Sequence, residues 1–350
     1  MHAVSSSYRD RFNVARGYAS AIPFSFRMLH YSITAMILPI IDDPVQKRRL
    51  DGLAPDGISV FMLEGDSIRG ALVSGTRMVS LMRVAHGLGV LETMVLGQAY
   101  IAAALLSATI KGEDRIAIHV EGQSSRGYSV ECTASGTVRG RLFSVPFDLD
   151  AVPNALEAGD LVGPGKISLT RYQAGRTEPV TGTSVARTGR LAEDLAYYYH
   201  VSEQVRTSFT LGVHFDADGR VAGAGGLYLQ ALPFASDEVL DRVERLVYGM
   251  PALGRTFATG AARMDIALRS FPFFDLNLLD DGPVEFACPC ERERLGSFIA
   301  ALPEDEFSSM AAEGPFPVEV RCQNCGSVYR YSQQDLAMME GKRKASNSEA

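Results

Sequence analysis

The segments Cys288-Pro-Cys290 and Cys322-Gln-Asn-Cys325 determine how the last fifth of this 350-residue chain folds. Two close cysteine pairs at this separation can converge on one tetrahedral zinc ion, for which four cysteine sulfurs are a standard ligand set. Gly326, directly after the second pair, suits the tight turn of a zinc knuckle. Because the unit 284–340 carries few large apolar residues, metal binding would supply much of the free energy that folds it. We therefore expect one Zn²⁺ per chain, bound by Cys288, Cys290, Cys322 and Cys325.

The same four thiols oxidise easily, so the site allows more than one interpretation. A metal clamp that converts into two disulfides would act as a switch. A static zinc ribbon that supports the fold or contacts a partner is one alternative, and four ordinary buried thiols are another. The ten acidic and four basic residues of 284–340 argue against a ribbon that binds nucleic acid. The CxxC is also unlike the redox motif of thioredoxin. It is predicted to join two strands, whereas the thioredoxin motif lies at the start of a helix.

Composition and charge favour a cytoplasmic protein with neither nucleic-acid nor membrane partners. The formal net charge of −7 disfavours binding to polyanions, and 46% hydrophobic residues are ordinary for a globular fold. Five cysteines, four of them clustered, are more typical of metal or redox chemistry in a reducing compartment than of a secreted disulfide framework. Residues 1–35 are rich in serine and arginine, which leaves open an organelle transit peptide or a translation start at Met36.

One apolar segment, 91–110, is long enough to cross a bilayer. It contains Glu92, Gln98 and Ser107, and Lys111 follows directly. This pattern predicts a buried core helix and not a membrane span.

Residues 57–235 are predicted to form one α+β domain with a mixed or antiparallel sheet. Runs of strand-like segments with few helices between them argue against a doubly wound parallel sheet. Asp216-Ala-Asp-Gly219 is a hairpin signal between two long strand-like segments. The predicted strands are 58–63, 67–73, 115–120, 128–132, 166–172, 207–215 and 221–232, and the predicted helices are 76–86, 91–111 and 191–204.

A helical connector, 236–283, is predicted between this domain and the cysteine-bearing unit. Apolar residues recur at helical spacing over 237–248, and Pro251 and Gly254 then interrupt the pattern. The segment is too apolar for an inert spacer, so we expect a metastable linker that stays folded only when docked. The flanking segments are predicted to be a partly disordered extension, 1–56, and a disordered tail, 341–350.

Several motifs spread over residues 57–336 occur in the order that one known family shows. The most specific is the CxC…CxxC arrangement within Glu285-Phe-Ala-Cys-Pro-Cys-Glu-Arg-Glu-Arg294 and Glu319-Val-Arg-Cys-Gln-Asn-Cys-Gly326. Ala103-Ala-Leu-Leu-Ser-Ala-Thr-Ile-Lys-Gly112 and Gly225-Gly-Leu-Tyr-Leu-Gln-Ala-Leu-Pro233 match its long core helix and its closing strand. Together these motifs resemble the heat-shock protein 33 family of redox-regulated holdase chaperones. Residues 1–56 have at best a partial counterpart there, and Cys132 matches no family ligand.

The resemblance implies a switch. A reduced, zinc-bound form is a poor chaperone, and peroxide or hypochlorous acid together with heat oxidises the thiolates. Zinc release follows, with disulfides Cys288–Cys290 and Cys322–Cys325, and the zinc domain and linker then unfold. The unfolded regions capture unfolding client proteins without ATP. The resemblance also implies that the oxidised form can assemble as a homodimer.

Apolar side chains of an unfolded connector would supply the surface that binds clients. The same side chains can equally be interpreted as permanently buried packing residues. The candidates are Val239, Val243, Leu246, Phe271 and Phe273.

No enzymatic activity is expected. The sequence contains no GxSxG, HExxH or P-loop motif and no full GxGxxG. Two alternatives to the switch remain: a non-redox zinc-ribbon module for protein interaction, and a thiol-disulfide oxidoreductase.

Overall fold

Two apolar runs near the start of the main domain pair as a hairpin and belong to the first of its two sheets. The computed structural model describes residues 39, 41–123, 126–146, 158–233 and 235–348, and the elements below all belong to one compact unit. The strands of the first sheet are β1 (Gly57–Leu63), β2 (Ile68–Ser74), β8 (Thr207–Phe215), β9 (Val221–Ala231) and β10 (Leu276–Pro283). Their order is β10-β1-β2-β9-β8, with all neighbours antiparallel.

The second sheet has six strands, β3 (Arg115–Glu121), β4 (Gly127–Thr133), β5 (Thr137–Leu142), β6 (Gly165–Tyr172), β7 (Val180–Ala186) and β11 (Glu285–Phe286). Their order is β11-β5-β4-β3-β6-β7, and the two-residue β11 alone runs parallel to its neighbour. Buried and partly exposed residues alternate along β3 and β5, so one face of the sheet packs inward. The sequence pattern indicated neither β5 nor β7.

Helix α3 (Val90–Leu106) contacts strands of both sheets. Its side chains are buried around nearly the whole circumference, as expected for a helix without a polar face. Together with the short turn that follows it, α3 forms the stretch Val90–Thr109, which among the described residues is the single helix long and apolar enough to cross a membrane. Of its most apolar window, 78% is buried inside the fold. This burial agrees with the core helix predicted from the sequence.

Helix α1 (Pro44–Asp51) fixes the end of the N-terminal extension to the core. The Asp43 side chain caps this helix by accepting hydrogen bonds from its first backbone amides. The Gln46 side chain donates to Ser80 Oγ at 2.9 Å, and Leu50 is buried. The disorder predicted for 1–56 therefore does not apply to this helix, because its side chains reach across to the core. Residues 1–38, with the possible transit peptide, lie outside the described residues.

Three more helices lie in the described part of the main domain: α2 (Thr76–His86), α4 (Ala158–Val162) and α5 (Leu191–Tyr198). Helix α5 continues into a π-helical turn at Tyr199–Glu203. Gly87 ends α2 in a left-handed conformation with φ of 64°. The predicted hairpin around 216–219 is present between β8 and β9.

The connector contains three helices, α6 (Asp237–Tyr248), α7 (Leu253–Ala258) and α8 (Arg263–Ser270), followed by β10. The connector buries apolar side chains against the first sheet, where Phe271 and Val243 belong to one apolar cluster with Phe61 and Leu72. The Arg263 guanidinium donates to side chains of β1, β2 and β10. The closing strand was not indicated by the sequence, since 276–283 has no alternating pattern and becomes a strand by pairing with β1.

The C-terminal unit contains β11, α9 (Arg292–Ala300), α10 (Glu304–Glu313), β12 (Val318–Arg321), β13 (Val328–Tyr331) and α11 (Gln333–Ser348). The predicted hairpin with the CxxC in its turn is formed by β12 and β13. The predicted disordered tail, 341–350, is instead helical as far as Ser348. Arg343 explains this difference: it donates to the carbonyl of Ala300 and pairs with Glu304, both at 2.9 Å, and stacks on Phe307.

Candidate metal centre

Four cysteine sulfurs converge in the C-terminal unit. Their Sγ atoms all lie within 4.8 Å of one another, and all four residues are buried. Cys288 Sγ lies 3.8 Å from Cys322 Sγ, and Cys290 Sγ lies 3.3 Å from Cys325 Sγ. Four sulfurs placed tetrahedrally at about 2.3 Å from a zinc ion have edges of about 3.8 Å, so the spacing and the donor type both fit this metal. No disulfide joins any of the five cysteines, all of which lie among the described residues.

The short strand β11 and the β12–β13 turn position the two cysteine pairs. Inside the turn, the amide of Cys322 donates to the carbonyl of Ser327, and the amide of Gly326 donates to the carbonyl of Cys322, both at 2.8 Å. Gly326 has φ of 74°, a left-handed conformation that glycine adopts at little cost. The turn therefore closes tightly with both of its sulfurs in the cluster.

Tyr329 of β13 connects the two halves of the site. Its hydroxyl donates to the carbonyl of Cys290 at 2.8 Å and lies 3.3 Å from Cys290 Sγ. Tyr331 makes a similar connection, because its hydroxyl donates to the carbonyl of Arg292 at 2.6 Å. The hairpin and the CxC segment are thus held together by these hydrogen bonds as well as by the sulfur cluster.

Arg139 of β5 brings a positive charge from the main domain to the sulfurs. Its Nη1 donates to Cys288 Sγ at 3.3 Å, and its Nε donates to Glu131 Oε1 at 2.6 Å. Hydrogen bonding to Cys290 lowers the pKa of the Cys288 thiol to about 6, with a further contribution from Arg139. Hydrogen bonding to Cys288 also lowers the pKa of Cys322. The same contacts with Cys288 raise the pKa of Cys290 and Cys325, so two of the four sulfurs are favoured as thiolates, the form of cysteine that ligates metals.

The cysteine segments also dock on the main domain through backbone contacts. β11 pairs with β5, and the amide of Gly140 donates to the carbonyl of Asn324 at 3.3 Å. Gly326 lies so close to the Ala85 carbonyl, at the end of α2, that no Cβ would fit there. Both cysteine pairs are therefore built into an interface between the two units.

The candidate client-binding residues and Cys132 lie outside the sulfur cluster. Val243 and Phe271 are buried in the apolar cluster beneath the connector, and Val239 and Leu246 pack partly buried against it, whereas Phe273 is 80% exposed. These five residues do not form one exposed patch. Cys132 lies in β4 outside the sulfur cluster, where burial raises the pKa of its thiol.

Sequence reasoning missed the residues of β5 and Tyr329, which contact the cysteines from outside the CxC and CxxC motifs. A usable signal for β5 was present: Val138, Gly140 and Leu142 are buried and alternate with partly exposed residues. No local signal in the sequence connects Arg139 with Cys288, because that contact arises from packing between units.

Comparison with known proteins identifies the family. The model of the Hsp33 protein family matches residues 56–332. The 33 kDa chaperonin of Desulforamulus reducens is 35% identical over 263 residues, which cover 75% of this chain and 89% of that protein. The 33 kDa chaperonin of Geobacter sulfurreducens is 30% identical over 280 residues, covering 80% of this chain and 92% of that protein.

A solved structure has the same fold. The crystal structure of the 33 kDa chaperonin, an Hsp33 homolog, from Thermotoga maritima superposes with a TM-score of 0.76 at 26% identity and covers 83% of this chain and 100% of that one. The fold, the four-cysteine cluster and the sequence matches agree. This chain therefore belongs to the Hsp33 family of chaperones.

Proposed function

We propose that this chain is a cytoplasmic, ATP-independent holdase that is switched on by oxidation of its four clustered thiols and has no enzymatic activity. The observation that carries the proposal is the cluster itself: four buried sulfurs within 4.8 Å of one another, on segments that also dock on the main domain. A change in the bonding of these sulfurs is therefore transmitted to the packing of the whole C-terminal unit.

In the reduced chain, Cys288, Cys290, Cys322 and Cys325 would hold one Zn²⁺. When bound, that ion would keep the four sulfurs as thiolates and add its binding free energy to the folding of residues 284–340. Neighbouring residues would hold these ligands in position. Arg139 donates a hydrogen bond to Cys288, and Tyr329 orients the CxC backbone through the carbonyl of Cys290.

Oxidation by hydrogen peroxide would proceed in two steps at each cysteine pair. One thiolate attacks an oxygen of the peroxide, so that a sulfenic acid forms and hydroxide leaves. The second thiol of the pair displaces that oxygen as water and forms the disulfide. We assign the pairs as Cys288–Cys290 and Cys322–Cys325. Two peroxide molecules thus accept the four electrons that the four thiols lose, and sulfurs paired in disulfides are poor ligands.

Loss of order would then spread from the C-terminal unit into the connector. Pro283 at the end of β10 is separated from β11 by Val284 alone, so the two units share a continuous stretch of chain. The connector rests on the first sheet through apolar side chains, which include Val243 and Phe271. Their release would expose apolar surface to unfolding client proteins.

The proposal is tested by comparing reduced and peroxide-treated chain as inhibitors of the aggregation of a heated client protein, measured by light scattering without ATP. Suppression by the oxidised form alone supports the switch. Equal activity in both forms would favour a static zinc ribbon. Steady turnover of a disulfide substrate would favour an oxidoreductase.

A further inference from the structure

The outer edge of β5 is covered by backbone that belongs to the cysteine-bearing segments. β5 would be an edge strand of the second sheet without β11, which contributes two residues in parallel register, Glu285 opposite Thr137 and Phe286 opposite Val138. An uncovered edge strand presents free N–H and C=O groups to which another extended chain can add. Another chain can therefore add to β5 only when the segment that covers this edge is displaced.

Backbone hydrogen bonds at the ends of the β11–β5 pair and beyond it help to cover this edge. The amide of Glu285 donates to the carbonyl of Gly136 at 3.0 Å, and the amide of Ala287 donates to the carbonyl of Val138 at 3.2 Å. The amide of Gly140 donates to the carbonyl of Asn324 at 3.3 Å. The carbonyls of Gly136 and Val138 and the amide of Gly140 are thus paired with the C-terminal unit, while the carbonyl of Gly140 accepts a hydrogen bond from the Tyr100 hydroxyl of the main domain.

The covering residues are directly adjacent to the cysteines. Ala287 precedes Cys288, and Asn324 precedes Cys325. The four sulfurs therefore hold both covering segments in place, one from each cysteine pair. Rearrangement of these sulfurs removes the constraint on both segments together.

A side-chain slot accompanies the edge. Phe286 is 2% exposed, and its ring centroid lies 6.1 Å from that of Tyr100 and 6.5 Å from that of His86. Val138 is also buried in this cluster. An extended segment with one aromatic residue fits this place, since Phe286 on β11 already occupies it in that way.

We propose that oxidation uncovers the outer edge of β5, and that an extended segment of an unfolding client adds there as a strand with an aromatic side chain in the Phe286 slot. This inference rests on the proposed function and deepens it. In the reduced chain β11 occupies the edge and blocks it. The mode of binding is strand addition, in which backbone hydrogen bonds provide affinity for many sequences.

A second copy of the chain is a less suitable occupant of the same edge. Antiparallel pairing of β5 with its own copy would bring Arg139 and Arg141 close to their counterparts across the new pair. Like charges opposite one another destabilise a strand pair. A segment of an unfolding client need not place positive charges opposite Arg139 and Arg141.

The test uses a labelled peptide of residues 282–288 with Cys288→Ser and measures its binding to the full chain by fluorescence anisotropy. The oxidised, zinc-free chain is expected to bind it at least about tenfold more tightly than the reduced, zinc-loaded chain. Methylation of the peptide amide at Glu285 or Ala287, which would each lose one hydrogen bond to β5, should weaken binding about tenfold. Methylation at Phe286, whose amide faces away from β5, should leave binding within about twofold.

A full-chain variant removes competition from the chain's own β11. Phe286→Ser should strengthen peptide binding to the oxidised chain, and Phe298→Ser, at a side chain that is 61% exposed in the same unit, should not. Hydrogen exchange of residues 136–142 gives a readout besides activity. Exchange should speed up on oxidation and slow again when the peptide is added.

Each outcome distinguishes this inference from the proposed function. Absence of peptide binding, or equal loss on methylation at Phe286 and Ala287, overturns strand addition at β5 even if the oxidised chain still suppresses aggregation. Dimerisation that protects residues 136–142 without any peptide would assign the edge to a second copy and also overturn it. Failure of oxidation to activate the chain at all would instead contradict the proposed function.

Discussion

Arg139 Nη1 in the main domain lies 3.3 Å from Cys288 Sγ in the C-terminal unit, and the same guanidinium is paired with Glu131. A side chain that belongs to a core sheet thus donates a hydrogen bond to a candidate metal ligand. Groups in this position orient ligands and support their charge. The sulfur cluster is therefore coupled to the main domain.

Arg139→Leu should weaken metal binding by about tenfold, because Cys288 loses a charged donor that stabilises its thiolate. Arg141→Leu is the matched control, since Arg141 lies on the same strand and stacks on Phe143. Competition with a chromogenic chelator measures both affinities. Equal affinities in the two variants would show that Arg139 does not support the site.

Cys322→Ser should lower zinc affinity and partly unfold residues 284–340, since three sulfurs no longer complete a tetrahedral site. Cys132→Ala, which removes a buried thiol outside the cluster, should retain about one zinc per chain. Metal analysis and hydrogen exchange of the purified reduced variants provide the measurements. Full zinc content in the Cys322 variant would exclude this residue as a ligand.

Phe271→Ala should destabilise docking of the connector by about 3 kcal/mol, because Phe271 is 1% exposed within the apolar cluster on the first sheet. We expect faster proteolysis of the connector and partial holdase activity already in the reduced chain. Phe273→Ala removes an exposed ring two residues away and should change neither. If the Phe271 variant were destabilised but remained inactive, undocking of the connector would not create the client surface.

The raised pKa of the Asp56 carboxyl group leads us to predict that stability depends on pH. It accepts a hydrogen bond from the amide of Met78 at 2.7 Å, while burial raises its pKa to about 6 despite the nearby charges of Arg77 and Arg263. The pKa in the unfolded chain is about 4, so the folded chain holds this proton more tightly. Its contribution to stability is full below about pH 4 and is lost as the pH rises through about 6.

Asp56→Asn should remove this component and flatten the pH dependence between about pH 4 and 6, a difference on the order of 2 kcal/mol. Urea denaturation at a series of pH values measures it. An unchanged slope in the variant would mean that Asp56 titrates normally in the folded chain.

The sequence pattern predicted the parts of the fold that depend on residues close together in the chain. The β8–β9 hairpin follows from Asp216-Ala-Asp-Gly219 between two apolar runs, and the CxxC turn follows from its glycine and the flanking strand residues. The convergence of the four sulfurs was also predictable, because few arrangements of two such cysteine pairs satisfy one tetrahedral site.

The missed features depend on contacts between segments that are distant in sequence. β10 becomes a strand through β1, and the tail helix extends beyond residue 341 with Arg343 bound to Ala300 and Glu304. Arg139 reaches Cys288 across 149 positions of the chain. Propensity and periodicity carry no information about such pairings.

The most direct test of the central claim follows the metal and the thiols of one sample of reduced, purified chain. We predict about one zinc per chain before treatment. After peroxide treatment at raised temperature, about one zinc should appear on a chromogenic chelator while the four clustered thiols are lost and residues 284–340 lose protection from hydrogen exchange. A reduced chain that is free of metal and yet ordered throughout 284–340 would contradict the account.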